Sequence, residues 1–389
     1  MRSRAAAAAL TIFICGCGGS DPAPRPTASP GAPAERAAPT PEQEIATLLT
    51  NRAAALEAGD ARAYAATAVA AQRRRDRVHG RRAARLRLRD VELTPRDVDA
   101  DGNRATASVV TSYSFAGVRG EFQVRRRFTL RKRREWRIAR VQSGRRGAPP
   151  WELADFVEHR TRHFAVLAPA DLDVGDLPAA LEAGYATMRD LLARGRLQRR
   201  YLVVVAADAP QARALTTEIE GVETLAAISD ATVVQSGPEA SVDRVVALRL
   251  LVVWQSYGLL GPEERAKVVT HELTHAVLAG STSGRMPSWL GEGVALYVSG
   301  DRRPVPAGAD LAALSRPDAI ARLAGTAQAD AYATSSAAAF AIADRFGRRA
   351  LLRLYDVFNE PSLRGRAGPR LTNRAVKRVL GISLGDVLA

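Results

Sequence analysis

From residue 42 onward the chain switches between two hydrophobic periods. Ile45, Leu48, Leu49 and Leu56 recur at helical spacing, which predicts a helix over 42–58 that Gly59 and Asp60 stop. A second helix is expected from 61 to about 77. Apolar and polar positions then alternate with period two over 85–93, 105–115, 121–132 and 135–142, which predicts four strands. Asp101, Gly102 and Asn103 supply a turn between the first two. After Pro150 the pattern predicts a strand at 163–167, a helix at 177–193, a strand at 201–206 and a helix at 210–217. Strands follow around 231–235 and 242–253, and helices fill the remainder. The run 242–260 is the most apolar in the chain, but Arg244 and Arg249 interrupt it, so a buried strand is expected rather than a membrane span.

These elements divide the 389 residues into segments 1–17, 18–41, 42–147 and 151–389. Residues 18–41 are rich in Pro, Ala, Gly and Ser, a composition that buries no core and suits an extended tether. Segment 42–147 reads as a small α+β domain. Its order, two or three helices followed by a four-stranded sheet, resembles the cone-shaped fold of nuclear-transport-factor-like and polyketide-cyclase-like domains. A short Gly/Pro/Arg linker then leads to the second α+β domain, 151–389.

Composition adds charge to this picture. The formal net charge is +15, and residues 42–150 hold 25 basic against 12 acidic side chains. The densest part is Arg125, Arg126, Arg127, Arg131, Lys132, Arg133 and Arg134. Such a stretch is a solvated sheet face or a surface that attracts anionic lipid or an acidic cell-wall polymer. Interleaved aromatics are sparse there, so a base-stacking nucleic-acid surface is not expected.

The N-terminus reads as an export signal. Arg2 and Arg4 precede the apolar run Ala5–Ile14, which is too short to span a bilayer of about 30 Å hydrocarbon thickness. The sequence Ile14-Cys15-Gly16-Cys17-Gly18 resembles a bacterial lipobox with Cys17 as the acceptor. That resemblance implies an exported protein, lipid-anchored at the outer face of the bacterial membrane. Cys15 and Cys17 are the only cysteines, so neither a disulfide framework nor a thiolate metal site is available to the folded segments. Any metal must be held by His and carboxylates.

The sequence offers such a set. Pro262 to Gly280 reads as one helix, with Pro262 in its first turn and Glu263 and Glu264 at its positive end. His271 and His275 lie four residues apart on one face of it, a spacing that lets two imidazoles converge on one zinc. Glu272 is turned about 100° from His271 and borders the open side, where it can take a proton from water. A second helix is expected from Ser288, its N-cap, through Trp289-Leu290-Gly291-Glu292-Gly293-Val294-Ala295. Glu292 is its one acid in an apolar stretch, and a third metal ligand explains it.

His271-Glu272-Leu273-Thr274-His275 followed by Pro287-Ser288-Trp289-Leu290-Gly291-Glu292-Gly293-Val294-Ala295 resembles the peptidase-MA-like gluzincins. Sixteen residues separate His275 from Glu292, slightly fewer than in the best-known gluzincins. The resemblance implies a zincin-like domain with active-site helices and a small sheet over roughly 160–389. It also implies a zinc peptidase acting on peptide or protein substrates, with His271, His275 and Glu292 as ligands and Glu272 as base. Tyr332 matches the position of an oxyanion-stabilising tyrosine in such relatives, with Tyr297 in reserve. The alternative is a non-catalytic surface lipoprotein, zinc-bound or metal-free, that acts through its basic segment. His159 and His163 repeat the four-residue spacing without an intervening glutamate after His159, and an ordinary strand is the expected setting. His79 is expected in a solvated Arg-rich loop.

Overall fold

The computed structural model describes residues 38–142, 144, 146–192, 194–216, 225–235, 237 and 241–389. The export signal, Cys17 and nearly all of the 18–41 tether lie outside the described residues. The fold is mixed α+β with two sheets.

The N-terminal half begins with α1 (Pro41–Glu57), whose cap residue Thr40 accepts from the Gln43 N–H while the Gln43 side chain accepts from the Thr40 N–H. α2 (Ala61–Ala66) is capped by the Asp60 carboxylate, and α3 runs Ala70–Ala83. The single second helix expected from sequence is two helices. Thr67–Val69 leaves the helical path because the Ile138 N–H donates to the Thr67 carbonyl and the Val69 N–H donates to the Ile138 carbonyl. Strands β1 (Leu88–Asp101), β2 (Arg104–Phe115), β3 (Phe122–Lys132) and β4 (Trp136–Val141) form an antiparallel meander in that order. Two sequence expectations fail here. His79 lies on α3 and is buried, not in a solvated loop, and Arg126 points inward while its neighbours Arg125 and Arg127 are exposed.

After a short turn, α4 (Pro150–Leu153), come β5 (Phe156–Arg160), β6 (Phe164–Pro169), α5 (Leu177–Leu191), β7 (Tyr201–Ala206) and α6 (Ala209–Leu215). β8 (Ala227–Gln235), β9 (Val242–Val253) and the short α7 (Trp254–Tyr257) precede the helices α8 (Pro262–Leu278), α9 (Ser288–Val298), α10 (Gly325–Phe346), α11 (Arg348–Val357) and α12 (Pro369–Leu380). The second sheet has the order β5-β6-β7-β9-β8. β6, β7 and β9 are parallel, and β5 and β8 run antiparallel at the two edges. β5 lacks an apolar run of its own and is fixed by pairing with β6. No helix among the described residues is long and apolar enough to cross a membrane.

Alternate side chains of the central strands feed two cores. Phe164, Val166, Val203, Leu250 and Val252 join the helices α5 and α8–α12. Ala165, Leu167, Leu202, Val204 and Leu251 join α1, Tyr113, Phe122 and Trp151 of the N-terminal half. Both faces are therefore apolar, which explains why these strands read as unbroken hydrophobic runs. Residues 40–389 form one compact unit, and the second core holds residues from both sides of the 147–151 stretch, with Trp151 among them.

Candidate metal centre

α8 supplies two of the three converging groups. Its N-terminus is set by Pro262 in the first turn and by the Glu264 carboxylate, which accepts the Gly261 N–H at 3.0 Å. Val269, Leu273, Ala276 and Val277 bury one side of the helix, and the other side turns His271 and His275 toward α9. α9 begins one residue earlier in role than expected: Pro287 occupies the cap position, and the Ser288 hydroxyl instead donates to the Leu314 carbonyl.

The three side chains meet at their tips. The Nε2 atoms of His271 and His275 are 3.1 Å apart, and Glu292 Oε2 lies 3.2 Å from the first and 3.4 Å from the second. Tetrahedral zinc with bonds of about 2.0–2.1 Å spaces its donors about 3.3 Å apart, so this triangle has the size of three such ligands. Glu292 Oε2 is buried and accepts no hydrogen bond of good geometry. An orphaned carboxylate oxygen facing two imidazole nitrogens is the donor set that a borderline divalent cation satisfies. Among the described residues no other group of three or more His, Cys, Asp or Glu side chains has this arrangement.

The three groups are coupled through their charges. Burial works against an ionised Glu292, but the two imidazoles outweigh it and hold the carboxyl far below the ordinary range. Burial also disfavours a charged His275, and Glu292 overrides this to keep it at about 9. Glu272 behaves differently: burial dominates and pushes its carboxyl up, against the pull of both histidines.

Glu272 is tied to the sheet as well as to α8. Its Oε2 accepts the Ser229 N–H of β8 at 2.8 Å. Among the described residues β8 pairs only with β9, so this N–H points to the unpaired side of an edge strand. Sequence reasoning did not find Ser229, because a backbone donor from a distant strand leaves no trace in residue type.

Tyr332 on α10 is half-buried. Burial, with Glu292 and Glu272 nearby, pushes its phenol up, so the hydroxyl keeps its proton. Arg303 lies 5.9 Å from its ring. Tyr297 instead packs edge-on against Phe340 at 5.1 Å. The other histidine pair does not converge: His159 is exposed on β5, and His163 Nδ1 is 2.6 Å from Glu182 Oε2.

Two glycines fix the frame. Gly184 of α5 meets Thr270, the residue before His271, so closely that a Cβ would lie 2.9 Å from the threonine hydroxyl. Gly293, the residue after Glu292, does the same against α10. The small residue beside each ligand-bearing position lets the helices approach closely.

No family model matches this chain, and no curated protein or solved structure does either.

Proposed function

We propose that this protein is a zinc-dependent peptidase of the gluzincin kind, built on a zincin-like C-terminal portion with a cone-like N-terminal layer. The observation that carries the reading is the convergence of His271, His275 and Glu292 within 3.4 Å of one another, with Glu272 on α8 between the two histidines. Bound there, zinc supplies Lewis acidity, which polarises a scissile carbonyl and lowers the pKa of water towards about 7. Glu272, steadied by the Ser229 N–H, takes a proton from the attacking water and passes it to the leaving amine. Tyr332, kept protonated, donates to the developing oxyanion. The unpaired edge of β8 offers main-chain donors and acceptors to an extended peptide beside Glu272.

The deciding experiment is the metal content of the fragment 40–389, wild type beside His271→Ala. One zinc per wild-type chain, absent from the variant, supports the reading. A wild-type fragment that takes up no zinc after reconstitution removes it and leaves the metal-free binding lipoprotein. Export and acylation at Cys17 belong to the same proposal, and the mass of the mature N-terminal peptide checks them. An unmodified Cys17 in the membrane fraction would rule out the anchor.

A further inference from the structure

The exposed face of the four-stranded sheet carries like charges in direct register. Arg104 of β2 pairs with Arg131 of β3, and Arg131 pairs in turn with Arg137 of β4. Like charges opposite one another across strands destabilise a sheet. Arg133 and Arg134 extend the row at the β3–β4 turn, and both are exposed. The acid among them, Glu135, is already engaged by Arg137 at 2.7 Å. Among the described residues Arg104, Arg131, Arg133 and Arg134 have no carboxylate partner.

We infer that this face docks on an anionic phospholipid surface. Charge complementarity sets the class: several exposed guanidiniums without carboxylate partners on one face suit many phosphates in a plane. Base stacking is not provided for, since Trp136, the aromatic at this hairpin, is only 3% exposed. The way the chain enters the fold favours a membrane over a free polymer. Glu44, in the first turn of α1, contacts both Lys132 at 2.5 Å and the Trp136 indole at 2.9 Å. The start of α1 therefore lies at the margin of the basic face. If the chain is anchored through Cys17, as proposed above, its described part starts at the margin of this face. The charge argument itself does not depend on the anchor or on the metal.

The test uses the compact unit 40–389, which lacks Cys17, so it fails or succeeds independently of acylation and of peptidase activity. Sedimentation is measured with vesicles of phosphatidylcholine alone and with an equimolar share of phosphatidylglycerol. Binding is expected only to the second kind and should fade as salt rises. Each arginine removed should lower the partition coefficient about fivefold, so Arg131→Ser with Arg134→Ser should lower it about twenty-five-fold. Arg349→Ser with Arg353→Ser, which removes the same charge from exposed positions on α11, should change it less than about twofold. Equal binding to neutral vesicles, or equal loss in the two double variants, overturns the docking face. Preferential binding to RNA or polyphosphate at equal phosphate concentration overturns lipid as the partner. The salt dependence of the wild type reads the same question without any substitution.

Discussion

Gly293 of α9 sits so close to Ser335 of α10 that a Cβ built on it would lie 2.5 Å from the Ser335 carbonyl oxygen and 3.1 Å from Ala339 Cβ. Backbone cannot yield as a flexible side-chain tip can. Gly293→Ala must therefore push α9 off α10 and carry Glu292 with it. The expected cost is about 1–3 kcal/mol of unfolding free energy and, on the proposed reading, weaker zinc retention. Gly291→Ala is the comparison, because its Cβ would meet nothing nearer than Met286 Cγ at 3.9 Å. Urea denaturation of the two decides the matter, and equal stability would show that the close approach has no energetic weight.

On the proposed peptidase reading, Glu272→Gln should keep zinc and lose hydrolysis by about 10²–10⁴-fold. The amide oxygen can still accept the Ser229 N–H, so the side chain stays in place and only its basicity is lost. Tyr332→Phe should also keep zinc, with the deficit in kcat rather than KM. Metal analysis beside peptide hydrolysis checks both. An active Glu272→Gln enzyme would exclude this carboxylate as the base.

Asp76 is the hub of a buried polar network. Its Oδ2 accepts from Arg52 at 2.7 Å and its Oδ1 from Gln72 at 2.8 Å, with both charged side chains 1% exposed. Asp76→Asn leaves the Arg52 guanidinium buried without its counter-charge, which should cost about 3–5 kcal/mol. Arg52→Met added to Asp76→Asn should recover much of that loss. Additive losses in the double variant, read by thermal unfolding, would argue that the two residues are not coupled.

His79 gives the fold a one-sided pH dependence. Burial, reinforced by Arg75, pushes its imidazole down to about 4, whereas the unfolded chain titrates near the ordinary 6.5. Between those values the unfolded state binds the extra proton. This contribution is constant above about pH 6.5 and turns destabilising as pH falls towards 4, by at most about 1 kcal/mol per pH unit. His79→Gln should flatten the slope in that window while leaving it unchanged above pH 7. Identical slopes for wild type and variant would mean that His79 is protonated inside the fold.

The candidate ligands were legible because each lies on a helix with its own boundary signals and stands out against an apolar face. His271, His275 and Glu292 needed only the helix period and the turn between α8 and α9. Long-range pairing was not legible: no local pattern shows that β8 folds back as an edge strand beside Glu272. The burial of α3 was hidden for a different reason. Its inward face is Gln72, Asp76, His79, Gly80 and Ala83, correctly spaced for a helix but largely polar, and Arg52 from α1 makes that face tolerable. β5 was missed because Val157, Glu158, His159 and Arg160 carry no apolar alternation, and only backbone pairing with β6 defines the strand.

The central sheet has no outer surface, since β6, β7 and β9 present apolar side chains to both cores. In cell-free translation of residues 40–389, which omits the proposed export signal, the ribosome delivers the chain in order. Tyr113, Phe115 and Phe122 are made well before Leu251 and Val253, which share their core cluster. At roughly 5–20 residues per second, the N-terminal layer waits several seconds with that apolar underside bare. A nascent chain arrested before β9 should accordingly be protease-sensitive, and one arrested after α12 resistant. The interleaving that braces the candidate metal centre thus sets a timetable, in which the earliest layer to be synthesised is among the last to be sealed.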